Sequence, residues 1–116
     1  MKIKIDHLDK LFSYFIRLRA NGICERCGNT VGFNKLQTSH FYGRRKRSVR
    51  WDPDNAAALC FTCHLYFTEN PLAHVEWFRE RLGEDKFTLL NIQAQTIQKI
   101  DIEAVTLYLK QKIKEI

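Results

Sequence analysis

The sequence predicts a small α+β domain whose core is a β-hairpin and a helix held together by zinc. One helix precedes this core, and the C-terminal half is mostly helical. Three observations predict this class: two CxxC pairs, a β-prone segment with a polar turn between them, and helical apolar periodicity elsewhere. The chain has 116 residues, which suits a single domain with a core over about residues 20–70 and C-terminal helices over residues 71–116.

The first element is predicted to be an amphipathic helix that Asp6 caps, because apolar residues recur at helical spacing from position 8 to position 16. The segment "ANGICERCGNT" then ends the helix and carries the first CxxC pair. The segments "KLQTSHFY" and "SVRW" are rich in β-branched and aromatic residues and flank the polar turn "GRRKR". This pattern predicts a β-hairpin with these two segments as its strands.

The rest of the chain is predicted to be helical. The alanines of "AAALCFTCHLYFT" favour a helix that Asp54 or Asn55 would cap. The next helix, "PLAHVEWFRERL", has Pro71 in its first turn and Gly83 just beyond its end. A further helix follows over about residues 87–97, and Asp101 is expected to cap the last one.

Four cysteines form two pairs, Cys24 with Cys27 and Cys60 with Cys63, with 32 residues between the pairs. The sequence shows no secretory signal and no membrane-spanning segment, which predicts a cytoplasmic protein without a membrane partner. Cytoplasmic thiols are kept reduced, so two CxxC pairs predict one structural Zn²⁺ rather than disulfides. A site with four cysteine ligands is closed and should not be catalytic.

The candidate catalytic residues are His40, Asn55 and His64, which are 15 and 9 residues apart. An imidazole titrates near neutrality and can act as the base in phosphodiester hydrolysis, which also needs a cation to polarise the phosphate. The alternative is an ordinary histidine, a helix cap and a histidine that is merely next to the zinc site.

This arrangement, with a CxxC pair directly before the last histidine, resembles the HNH nucleases, whose core is the ββα-metal fold. The resemblance implies that His40 activates water and that Asn55 holds His40 in position. It also implies that His64 binds a divalent cation, Mg²⁺ or Mn²⁺.

The segments "LDKLFSYFIRLR", "CERCG", "SHFYGRR", "VRWDPDN", "CFTCH" and "GEDKFTLL" occur in the order found in phage NinG (Rap) proteins, which the chain resembles over nearly its whole length. This resemblance implies an endonuclease acting on branched recombination intermediates such as Holliday junctions or D-loops, in the host cell cytoplasm if the chain is phage-encoded. It adds Asn70 as a second candidate metal ligand. The chain departs from the pattern at Gln37, Ser39 and Thr68, where related nucleases carry stronger ligands.

Five basic residues occur within seven positions, and they are predicted to contact DNA phosphates. They are Arg44, Arg45, Lys46, Arg47 and Arg50. The alternative for the group is a solvated charged turn. Arg50 could instead stabilise charge on the reacting phosphate. The formal net charge of +6 also favours an anionic partner.

The sequence therefore favours a metal-dependent DNA endonuclease. One alternative is a catalytically inactive, zinc-stabilised module that binds DNA or assists recombination, and another is a zinc-dependent protein adaptor. His74 is interpreted as an ordinary helical histidine rather than a metal ligand. The apolar C-terminal helix could pair two chains into a homodimer.

Overall fold

The computed structural model of the protein describes residues 4–116, which contain five α-helices and a two-stranded antiparallel sheet. In chain order these elements are α1 (His7–Arg19), β1 (Gln37–His40), β2 (Ala56–Leu59), α2 (Phe61–Glu69), α3 (Pro71–Leu82), α4 (Glu84–Gln95) and α5 (Ile102–Lys114). Short 3-10 turns lie in the connections, at Phe33–Lys35, Arg47–Val49 and Pro53–Asn55. The architecture confirms the predicted fold class.

Helix α1 begins at the cap that the sequence predicted. The backbone amide of Asp9 donates to Asp6 Oδ1 at 2.9 Å, and the amide of Asp6 donates to Asp9 Oδ2 at 3.0 Å. These two bonds satisfy amides that the start of a helix otherwise leaves free. The apolar face of α1 is buried against both strands and α5, and it comprises Leu8, Phe12, Phe15 and Ile16.

The strand that pairs with β1 is β2, so the prediction of "SVRW" as the second strand was wrong. His40 lies opposite Ala56, and Gln37 lies opposite Leu59. All four residues of β2 are fully buried, because α1 and α2 both pack against this strand. A short continuous apolar run is typical of a strand that is buried on both faces. The predicted helix consequently starts only at Phe61.

The segment "SVRW" instead lies at a 3-10 turn and is not part of the sheet. Val49 is fully buried against Leu90 and Ala94 of α4. The side chains of Arg50 and Trp51 both point to Asp9 of α1. These contacts fix the segment between α1 and α4, so it is not available as a strand.

The C-terminal half is helical, as predicted. Helix α3 ends at Gly83, whose φ of 83° lies in the left-handed region that glycine adopts without strain. Asp101 caps α5 as expected, because the amide of Ala104 donates to Asp101 Oδ1 at 3.0 Å. Leu109 of α5 is fully buried, and this helix packs against α1. Within residues 4–116, no helix has the length and apolar character needed to cross a membrane.

Candidate metal and catalytic sites

The four cysteines lie together, as the two CxxC pairs predicted. Their sulfur atoms all lie within 4.8 Å of one another, and Cys27 Sγ is 3.9 Å from Cys60 Sγ. Four thiolates bound tetrahedrally to one zinc at about 2.3 Å would have their sulfur atoms about 3.8 Å apart. The cluster therefore fits a closed tetrahedral metal site, such as that of a structural zinc.

Two short segments present these thiols. The amide of Gly28 donates to the carbonyl of Cys24 at 3.0 Å, and the φ of 77° at Gly28 allows this tight turn. Cys60 is the N-cap of α2, and Cys63 lies in the first turn of that helix. A metal ion in the cluster would thus join the segment after α1 to the junction of β2 and α2.

Hydrogen bonds reach the sulfur atoms of two buried cysteines, with opposite net results for their pKa values. The amide of Cys60 donates to Cys24 Sγ at 3.3 Å. Burial raises the pKa of the Cys24 thiol, but hydrogen bonds from nearby backbone amides lower it to about 7. Burial raises the pKa of the Cys63 thiol to about 12, and it outweighs the hydrogen bond that Arg26 Nη1 donates to Cys63 Sγ at 3.4 Å, which lowers that pKa. Arg26 is a supporting residue that sequence reasoning missed, although its position inside a CxxC pair is a visible signal.

A cavity of about 300 Å³ brings His40 and His64 together. It is bordered by β1, the loop after β1, and helices α2 and α3. The lining residues are Thr38, Ser39, His40, Arg44, His64, Phe67, Thr68 and His74. Three imidazoles and one guanidinium therefore face a space large enough for a phosphate group and a cation.

His40 is the last residue of β1, and its ring packs against that of Phe12 with centroids 5.7 Å apart. Its Nε2 is buried and has no hydrogen-bond partner within the described part of the chain. Burial lowers the pKa of His40 to about 4. The positive charges of Arg44 and Arg50 act in the same direction, and the negative charge of Asp9 opposes them. His40 is therefore neutral near pH 7, which is the state that a general base requires.

We expect the buried, neutral His40 to make the protein less stable at mildly acidic pH. The pKa of a free histidine is 6.5, against about 4 for His40 in the fold. The unfolded chain therefore binds more protons between these two values, and the free energy of unfolding falls as the pH decreases through this window. The contribution of His40 to this loss is about 2 kcal/mol at pH 5.

Urea unfolding of the wild-type protein and of His40→Gln at pH 7 and pH 5 measures this effect. The variant should lose less stability than the wild type on acidification. His7→Gln removes an exposed histidine on α1 and serves as the matched control. If the wild type and His40→Gln lost the same stability, His40 would not be kept neutral by its burial.

Asn55 is fully buried, and its side chain holds the loop that follows His40. Asn55 Oδ1 accepts from the amide of Tyr42 at 2.8 Å, and Nδ2 donates to the carbonyls of Tyr42 at 2.9 Å and Val49 at 3.1 Å. The amide of Phe41 donates to the carbonyl of Asn55 at 2.8 Å. Asn55 is thus placed to fix the backbone beside His40, and it ends a 3-10 turn rather than capping a helix.

Arg50 is buried, so the prediction that it contacts DNA or the reacting phosphate does not fit its position. Its Nη2 donates to Asp9 Oδ2 at 2.6 Å, and its Nε donates to Asp9 Oδ1 at 3.0 Å. Trp51 Nε1 donates to the same Oδ1 at 3.0 Å. Burial alone would raise the pKa of Asp9, but the hydrogen bonds from Arg50 and its other donors lower it to about 2. Arg50 therefore anchors the end of the basic segment to α1.

The other four basic residues are less buried than Arg50, although Arg44 Nε also lies 3.8 Å from Asp9 Oδ1. Arg44 borders the cavity beside His40. The exposed members are Arg45, Lys46 and Arg47. These three line a second cleft, of about 330 Å³, whose opposite wall is formed by residues 94–98. Positive charge therefore extends from the cavity along the surface toward the end of α4.

The remaining candidate ligands are turned toward helix carbonyls. Asn70 Nδ2 donates to the carbonyl of Tyr66 at 2.8 Å, and Asn70 is not among the described residues that line the cavity. Its placement does not support a role as metal ligand. Thr68 lines the cavity, but its hydroxyl donates to the carbonyl of His64 at 2.9 Å.

His74 lies in the cavity with His40 and His64, although sequence reasoning set it aside. Its Nε2 is buried and, like that of His40, has no hydrogen-bond partner in the described residues. Burial lowers the pKa of His74, and the neighbouring His64 lowers it further. The signal in the sequence is a second histidine shortly after His64, beyond the helix junction at Pro71.

Together, the structure defines a small α+β protein with a four-cysteine cluster and a histidine-lined cavity on a strand and a helix. Residues 24–66 match the family model of the HNH endonuclease. The match spans all four cysteines as well as His40, Asn55 and His64, and it supports a nuclease or metal-binding role that involves nucleic acid. No curated protein and no solved structure matches the chain. The narrower resemblance to phage NinG proteins stays a prediction.

Proposed function

We propose that the protein is a metal-dependent DNA endonuclease that hydrolyses phosphodiester bonds. The observation that carries this proposal is that His40 and His64 line one cavity together with Arg44. Hydrolysis of a phosphodiester needs a base for the attacking water and positive charge around the phosphate, and these side chains offer both. The match of residues 24–66 to the HNH endonuclease supports the same reaction class.

His40 is the proposed general base. Its imidazole is neutral near pH 7 because it is buried among positive charges, so it can accept a proton from water. Asn55 is the proposed positioning residue, because it fixes the backbone of the two residues that follow His40. It would act through the main chain rather than by touching the substrate.

His64 is the proposed ligand of the catalytic cation, Mg²⁺ or Mn²⁺. When bound, the cation would polarise the phosphate and stabilise the leaving oxygen. His64 follows Cys63 directly in the first turn of α2, so the proposed structural zinc would hold the cation ligand opposite His40. Arg44, on the opposite wall, would bind a phosphate oxygen.

The exposed basic residues are proposed to guide the DNA backbone to the cavity. Arg45, Lys46 and Arg47 lie on the same loop as Arg44 and continue its positive charge along the second cleft. Contacts of this kind orient a nucleic acid without reading its sequence. They support duplex or branched DNA as substrate equally well.

Branched DNA, such as a Holliday junction or a D-loop, is the proposed substrate class. It rests on the resemblance of the chain to phage NinG proteins, which extends beyond residues 24–66 into the C-terminal helices. The comparison of a four-way junction with a linear duplex of the same sequence tests this part separately from the cleavage reaction itself.

A nicking assay on labelled four-way junction and duplex DNA, with Mg²⁺ or Mn²⁺, tests the proposed function. We expect the wild type to cleave in the presence of a cation and His40→Ala to cleave at least about 100-fold more slowly, because it lacks the base. DNA affinity should be nearly unchanged in this variant, since His40 lies inside the cavity. His7→Ala, at an exposed position on α1, should cleave like the wild type.

A second function has one observation in its favour. Ser39 is buried and Thr68 donates to a helix carbonyl, so neither offers the strong ligand that related nucleases carry there. A binding module without activity would bind DNA in a salt-dependent manner and cleave it with neither cation. In that case His40→Ala and the wild type would give the same result in the nicking assay.

A further inference from the structure

We propose that His74 is a second ligand of the catalytic cation, and that His64 and His74 form a two-imidazole site which prefers Mn²⁺ over Mg²⁺. This inference rests on the proposed function, because it specifies the metal site in the same cavity. It concerns a residue from α3, which lies outside the segment that matches the HNH endonuclease.

The two histidines come from consecutive helices that pack against each other. His64 lies in α2 and His74 in α3, and the two helices meet at Asn70. Both side chains line the cavity of about 300 Å³. A cation held between them would share this cavity with His40, where the proposed reaction takes place.

The ring of His74 is held in place by aromatic neighbours that offer no hydrogen-bond acceptor of their own. It stacks on Phe67 with centroids 5.0 Å apart, and it meets the edges or faces of Phe78 at 5.1 Å and Phe41 at 5.6 Å. Its Nε2 is buried with no partner in residues 4–116. Buried polar atoms nearly always have a partner. A cation bound at Nε2 would satisfy this nitrogen.

The donors in the cavity determine the class of cation. None of the described lining residues is a carboxylate, and the strongest donors are imidazole nitrogens. Mg²⁺ prefers oxygen ligands and strict octahedral geometry, whereas imidazole suits Mn²⁺ and the later first-row metals. The Thr68 hydroxyl is engaged with a carbonyl. The cavity is therefore better matched to Mn²⁺ than to Mg²⁺.

His40 is the less suitable second ligand. It lies on β1, where the combined effect of the positive charges of Arg44 and Arg50 exceeds the opposing effect of Asp9 and disfavours an added cation. The His74 ring, by contrast, packs against the aromatic rings of Phe41, Phe67 and Phe78. This division leaves His40 free to act as the base while His64 and His74 hold the metal.

The first test measures Mn²⁺ binding by the electron paramagnetic resonance signal of free Mn²⁺, using zinc-loaded protein. The wild type should bind one Mn²⁺ per chain, and His74→Gln and His64→Ala should each weaken its binding roughly tenfold or more. Glutamine retains much of the volume of histidine in the aromatic pocket. His7→Ala is the matched control and should bind as the wild type does. Competition with Mg²⁺ should require a large excess of Mg²⁺ to displace the Mn²⁺.

The outcomes separate this inference from the proposed function. Weak binding in His64→Ala with unchanged binding in His74→Gln would overturn the role of His74 and leave the proposed nuclease intact. A wild type that binds no second cation, or that binds Mg²⁺ as tightly as Mn²⁺, would overturn the two-imidazole site. If the wild type also cleaves with neither cation, the proposed function fails as well.

The second test needs no variant, and so it holds even if His74→Gln does not fold. The chain has four histidines, so their ring nitrogens give few signals in an ¹⁵N spectrum. Addition of a second equivalent of Zn²⁺, which imidazole also binds well, should shift one ring nitrogen of His64 and one of His74. The signals of His7 should not move. A shift at His64 without a shift at His74 would overturn the proposal.

Discussion

Removal of the proposed structural zinc by a strong chelator should abolish the cooperative thermal unfolding transition of this protein. Without metal, the four thiols no longer join the segment after α1 to the start of α2. Structural zinc contributes an apparent binding free energy of about 10–16 kcal/mol in small zinc domains. The free energy of unfolding of an ordinary domain is only about 5–15 kcal/mol, so the loss of the zinc binding free energy is as large as the entire free energy of unfolding. Melting curves followed by circular dichroism, with and without chelator, measure the effect, and added zinc should restore the transition.

The variant Cys27→Ser gives the sharpest form of this test. Cys27 is exposed, whereas Cys24 is buried. A surface thiol that binds no metal can be replaced at a cost within about 0.5 kcal/mol. A zinc ligand cannot, so Cys27→Ser and Cys24→Ser should both lose zinc and most of their stability despite their different exposure. If Cys27→Ser kept the stability of the wild type, the cluster would not hold a structural metal.

Loss of the metal from the four-cysteine cluster should also affect the proposed cation site at His64. His64 follows a cysteine of the cluster directly, and α2 has only nine residues. A helix this short depends on its surroundings for stability. The chelated protein should therefore lose the second cation site as well as its fold, although His64 is not proposed to bind zinc.

The features predicted most successfully were those that spacing along the chain encodes. Ligands of one structural zinc come in CxxC pairs because two thiols of a short turn can reach the same ion. This spacing predicted that Cys24, Cys27, Cys60 and Cys63 lie together, and they do. Helix caps are equally local, and Asp6 and Asp101 both cap helices as predicted.

The second strand was missed because a short apolar run does not reveal its secondary structure. The residues of "AAAL" have good helix propensity, and the same residues also suit a strand covered on both faces. The deciding factor is the packing of α1 and α2 against β2, which no local sequence pattern records. The β-prone segment "SVRW" failed as a strand for the same kind of reason, because distant partners on α1 and α4 hold it elsewhere.

Two functional assignments depended on contacts that are remote in sequence. Arg50 resembles its basic neighbours in composition, but it alone among the five is buried, where it donates two hydrogen bonds to Asp9 on the first helix. His74 has the sequence pattern of an ordinary residue in an amphipathic helix. It lines the cavity because α2 and α3 both border that cavity in the fold. Burial of a charge or of an imidazole nitrogen is a property of the assembled fold, so neither could be read from the sequence.

Replacement of Asp9 by asparagine should destabilise the protein by about 3–5 kcal/mol, because it removes the buried carboxylate that pairs with Arg50 at 2.6 Å and with Arg44 at 3.8 Å. The side chains of Arg50 and Asp9 are 7% and 2% exposed, so water cannot screen the loss. Asp6→Asn is the matched control, since Asp6 also lies 3.9 Å from Arg50 but its side chain is 51% exposed. Asparagine is a good helix cap, so this control should change stability little. Urea unfolding at pH 7 distinguishes the two variants.

Replacing both partners of the ion pair connects this prediction to DNA binding. The double variant Asp9→Leu with Arg50→Met removes both charges at once, and it should recover part of the stability lost in Asp9→Asn, because Trp51 Nε1 and Arg44 still lose their contact with Asp9. If Arg50 only anchors the loop, this double variant should bind DNA with nearly the affinity and salt dependence of the wild type. If Arg50 instead reached a phosphate, the salt dependence would fall by about one counter-ion. A double variant with a weakened salt dependence would therefore indicate that Arg50 contacts a DNA phosphate.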